Sequence, residues 1–84
     1  MISTMRDLIA DALFASALQP SDAPVPATVR ATVTAMLLRL GSDGCAATVA
    51  QEFGDHPDTA VRRMGWVRTL MSTTYPDMSG LVIA

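Results

Sequence analysis

The sequence contains no lysine, one cysteine (Cys45), one histidine (His56) and four aromatic residues, and only 17% of it is charged. A lone cysteine cannot close an internal disulfide, so no covalent staple holds this fold. That usage fits a reducing, cytoplasmic setting. One cysteine and one histidine fall short of the three or four ligands a zinc site needs, so no metal is expected. The five glycines are scattered rather than gathered into a phosphate-cradling loop, and no small-molecule cofactor is expected. No apolar run reaches the roughly 18–20 residues required to span a bilayer, and no membrane role is expected. Arg6, Asp7 and Asp11 interrupt the first apolar stretch, which argues against a secretory leader. Six arginines face eight acids for a net charge of −2 and a pI near 4.9. There is no basic excess to draw in nucleic acid globally, so any such contact needs a local cluster.

Apolar side chains are plentiful, at 50% of the 84 residues. That excludes a disordered chain, and it implies that part of the surface is covered by a second copy or a partner. The length suits one domain with a thin core. The pattern predicts an all-α, compact bundle of four helices over residues 1–72, followed by an apolar tail over 73–84. The first helix is expected from Thr4, a capping residue with Asp7 three positions on, to Leu18. Its apolar residues lie on two sides, with Leu8, Ile9, Ala12 and Leu13 on one and Phe14 and Leu18 on the other. Phe14, Leu18 and, in the tail, Leu81 are therefore candidate interface residues.

Pro20 and Pro24 end helix propagation across the linker 19–25, and Pro26 suits the first turn of a second helix to Leu40. Val29, Val33, Met36, Leu37 and Leu40 form its core stripe. Gly41 is a helix-ending residue. A third helix, capped by Ser42 or Asp43, runs to Gly54 with Cys45, Val49 and Phe53 on its inner face and Gln51 and Glu52 facing away. After Asp55-His56-Pro57, a fourth helix from Asp58 to about Met71 is expected to bury Ala60, Val61, Met64, Val67 and Met71. The last two helices then form a sharp corner.

Ala50 and Gly54 stand four apart at this corner. A small residue there lets a second helix cross closely, and a glycine can take positive φ at a turn. With Val49 and Phe53 as buried positions, residues 46–71 resemble the helix-turn-helix DNA-binding motif. In that family buried apolar residues follow the turn glycine by six and nine positions, here Ala60 and Arg63. A turn one residue longer brings Val61 and Met64 into those places instead. The resemblance implies a small DNA-binding or transcription-regulatory protein, acting as a dimer on double-stranded DNA. Its recognition helix would present Thr59, Arg62, Arg63 and Trp66. This requires both arginines to point into solvent. The alternative is an acidic protein–protein interaction module (an adaptor, inhibitor or accessory subunit) with no nucleic-acid contact. Catalysis is not expected. Cys45 falls on the core face and His56 in a turn, so they make a poor nucleophile–base pair.

Overall fold

The computed structural model describes residues 4–76. Thr4 starts the first helix, as its position suggests. Its Oγ1 accepts the Asp7 amide at 3.1 Å, and the Asp7 carboxylate accepts the Thr4 amide at 3.4 Å. This reciprocal capping satisfies two amides that a helix start otherwise leaves open. Helix α1 runs Met5–Ala15 and buries Ile9, Ala12, Leu13 and Phe14. It stops three residues before the expected Leu18 because Ser16 takes an extended backbone. The Ser16 hydroxyl donates to the Leu13 carbonyl at 2.6 Å and accepts the Leu18 amide at 3.3 Å, replacing the next helical turn.

The linker holds one 3₁₀ turn, Pro20–Asp22. There the Asp22 carboxylate accepts the Gln19 amide at 2.8 Å. Pro26 opens helix α2, Pro26–Asp55, and Pro57 opens α3, Pro57–Thr74, each at a first-turn position. Among the described residues the architecture is all-helical, with three α-helices rather than the expected four. Gly41 does break the helical geometry, with φ 72° and ψ 169°. Only glycine enters that region readily, so one residue bends the chain and helix resumes at once, without a loop. The arms 26–40 and 42–55 are thus the two limbs of one bent element. The bend is tight. A Cβ placed on Gly44 would stand 3.0 Å from the Leu40 Cβ. The Cys45 thiol, beyond the bend, lies 3.8 Å from the Met36 carbonyl before it.

Each helix packs on the other two, α1 most extensively on α2. The core combines Ile9, Ala12, Leu13 and Phe14 with Val29, Val33 and Cys45 of α2 and Ala60, Val67 and Met71 of α3. Three placements depart from expectation. Phe14, an interface candidate, is a core residue, because α1 is short and central enough to bury both its apolar sides. Leu40 and Val61, expected in core stripes, are 40% and 61% exposed. Thr74 is buried and Tyr75 packs against the core, so the folded body passes the expected tail boundary at residue 73. Leu81 lies outside the described residues.

Candidate functional site

The inner face of α3 is set by Ala60, Arg63, Val67 and Met71, with Met64 beside them. This is the phase six and nine positions after Gly54, not the phase shifted by one. The shift had exchanged a buried arginine for an apolar residue, and the fold instead finds partners for the arginine. Arg63, expected to point into solvent, reaches the C-terminal end of α1. Its Nε donates to the Phe14 carbonyl at 2.9 Å, and its Nη2 donates to the carbonyls of Leu13 at 3.3 Å and Ser16 at 2.9 Å. A helix end presents open carbonyls and a partial negative charge, both of which a guanidinium satisfies. Its guanidinium lies against two rings, with its carbon 5.5 Å from the centres of both Phe14 and Trp66. Phe14 in turn stacks on Phe53 at 5.9 Å. Burial pushes the Arg63 pKa below its ordinary value.

The corner between α2 and α3 is also built differently from the expected turn. Ala50 and Gly54 are exposed, and nothing lies within 4 Å of a Cβ built on Gly54. Gly54 stays inside α2; the single non-helical residue is His56, at φ −140° and ψ 66°. A residue before proline is pushed out of the helical region, so Pro57 places the break at His56. Arg62 is exposed, Thr59 is exposed on the rim of a groove, and Trp66 is half-buried against the core.

That groove encloses about 310 Å³ between the end of α1, the second limb of α2 and the start of α3. Phe14, Ser16, Thr48, Glu52, Thr59 and Arg63 supply its aromatic and polar lining. It brings Thr59 and Arg63 together and leaves Arg62 outside. Glu52, expected to face away, turns into it half-buried. Its carboxylate has no hydrogen-bond or ion-pair partner among the described residues. One signal for it was present in the sequence: Thr48 and Glu52 are four apart and flank the Cys45, Val49, Phe53 stripe, at the edge of the buried face. Cys45 is fully buried while His56 is exposed, so they form no dyad. Among the described residues no group of three or more His, Cys, Asp or Glu side chains could hold a metal ion, and no helix is long and apolar enough to cross a membrane.

Fold and groove together define a small all-helical domain whose central arginine serves the packing and whose free acid lines a cleft. No family model, characterised protein or solved structure matches the chain.

Proposed function

We propose that this chain is a protein-interaction module that receives a cationic side chain of its partner in the groove at the end of α1. The observation that carries the reading is Glu52, a half-buried residue that lines the cleft with a carboxylate unpartnered among the described residues, while the neighbouring Arg63 is turned onto backbone carbonyls. A carboxylate without a partner gains a charge-assisted hydrogen bond from lysine or arginine. Asp55 and Asp58, exposed at the α2–α3 junction, disfavour a phosphate backbone there. With Arg63 directed inward, α3 keeps only Arg62 and Arg68 exposed for nucleic acid.

The test is an NMR titration of the protein with N-acetyl-arginine amide, and separately with a short DNA duplex at low salt. The arginine probe is expected to shift the amides of Thr48, Glu52 and Thr59, and Glu52→Gln is expected to abolish those shifts. Absence of those shifts overturns the proposal. So does salt-sensitive DNA binding that disappears in the Arg62→Ala, Arg68→Ala double variant.

A further inference from the structure

One backbone residue separates the two halves of this fold. All of Pro26–Asp55 is helical except Gly41, whose φ of 72° and ψ of 169° set the bend. Nothing lies within 4 Å of a Cβ built on Gly41. With helix on both sides, Gly41 needs only a helical φ and ψ to turn α2 into one rod about 45 Å long. That exceeds the 34 Å extent of the folded body. Val29 and Cys45, like Val33 and Val49, are sixteen positions apart, about 160° around a straight helix. A straight α2 therefore turns the core stripes of its two limbs to opposite sides, and one chain can no longer close its own core.

The contacts that close the core join the half before Gly41 to the half after it. Arg63 donates to the carbonyls of Leu13, Phe14 and Ser16, and the Phe14 ring stacks on Phe53. Ile9, Leu13, Val29 and Val33 share one core with Cys45, Val67 and Met71. When α2 straightens, each half is left with an open apolar face, and the surface that fits it is the opposite half of the same sequence. A second copy supplies that half with every one of these partners in place.

We propose that α2 is a hinge about Gly41 through which two copies of this chain exchange halves. In the exchanged dimer these contacts form between copies. Each groove becomes composite, with Phe14 and Ser16 from one copy and Thr48, Glu52 and Thr59 from the other. Dilution favours the bent monomer, and the backbone preference at residue 41 sets the concentration at which exchange takes over.

The test refolds the full chain from urea at micromolar and at millimolar concentration and sizes the product by sedimentation velocity. The wild type is expected to be monomeric at the lower concentration and to contain dimer at the higher. Gly41→Ala disfavours the bent backbone and favours the helical one, by about tenfold or more per chain. Both hinges open in each dimer, so this variant is expected to dimerise at a concentration lower by about a hundredfold or more. Ser42→Pro acts in the opposite sense. Ser42 is exposed, proline suits the first turn of the second limb, and it bars Gly41 from the helical region. This variant is expected to stay a folded monomer throughout. In dimers assembled from isotope-labelled and unlabelled copies, a filtered nuclear Overhauser contact between the Phe14 and Phe53 rings is expected to cross from copy to copy. A wild type that refolds only to monomer at millimolar concentration overturns the inference. So does a Ser42→Pro variant that dimerises like the wild type, or a dimer whose Phe14–Phe53 contact stays within one copy. The wild type and Ser42→Pro decide the question should Gly41→Ala not fold. Arginine-amide shifts at Glu52 report on the ligand of the groove and not on the exchange.

Discussion

Arg63 caps α1 from the far end of the chain. The Phe14 carbonyl has the guanidinium as its hydrogen-bond donor from outside the helix, and Leu13 and Ser16 share the other donor. Arg63→Met removes the guanidinium donors from the Phe14 and Ser16 carbonyls, while the Leu13 carbonyl keeps its bonds from the Ser16 amide and hydroxyl. Hydrogen bonds to charged groups are worth about 1.5–3 kcal/mol and are not additive here, so a loss of about 2 kcal/mol is expected. Arg63→Lys is expected to recover only part of it, since one ammonium cannot reproduce a planar fork. Urea denaturation checks this as a lowered midpoint at unchanged slope. Such a residue was hard to read from the sequence. Its partners lie 47–50 positions away, and an arginine on a helix ordinarily reads as solvated. Asp11 offers a second test. Burial, and then the negative charge of Asp7, raise its pKa above the ordinary value of an aspartate. The folded state therefore binds this proton more tightly than the unfolded chain. Ionised Asp11 costs stability above its folded pKa, and the cost disappears as pH falls through the carboxylate range. Asp11→Asn is expected to raise the melting temperature at pH 7 and to have little effect near pH 3. An equal effect at both values would mean the substitution acts through packing instead.

Glycine and proline place the bend of α2 and the starts of α2 and α3, and the two do not act alike. The prolines at 20, 24, 26 and 57 place the linker and the two later helix starts where the sequence puts them, because a missing amide and a fixed φ leave little choice. The glycines depend on their neighbours. Gly41 has no proline nearby and takes the bend itself. Gly54 stands three residues before Pro57, which moves the break to His56 and leaves Gly54 helical. The Ala50–Gly54 pair was therefore legible as a spacing, whereas its use was decided downstream. Substitution distinguishes the two positions. Gly41→Ala forces a side chain into a backbone region almost reserved for glycine and is expected to cost about 1–3 kcal/mol. Gly54→Ala meets open space within a helix and is expected to stabilise by up to about 1 kcal/mol. Thermal melts of both variants check this, and destabilisation by Gly54→Ala would return the turn to Gly54.

Across the whole molecule, the core drew on the expected residues of every helix, with errors at the margins of stripes. Val61 and Leu40 moved outward, and Glu52 moved into the groove. Periodicity fixes which broad face is buried, but it does not resolve a flank position without knowing what packs opposite. The buried Cys45 allows a test of whether this three-helix body opens as one unit. It lies on the second limb of α2, and burial together with Asp11 raises its thiol pKa. Alkylation requires an accessible thiolate, so the native thiol is expected to react only on opening. With fast reclosing, its labelling rate is then the unfolded-state rate multiplied by the unfolding constant. Arg63 ties α1 to α3 and makes no hydrogen bond to Cys45. If opening is global, the roughly 2 kcal/mol lost in Arg63→Met accelerates labelling by roughly thirtyfold, at 1.4 kcal/mol per factor of ten. If the limb 42–55 instead swings out about Gly41 alone, Arg63→Met leaves the rate unchanged and Gly41→Ala dominates it. A wild-type rate well above that given by its own denaturation curve would identify the second case directly.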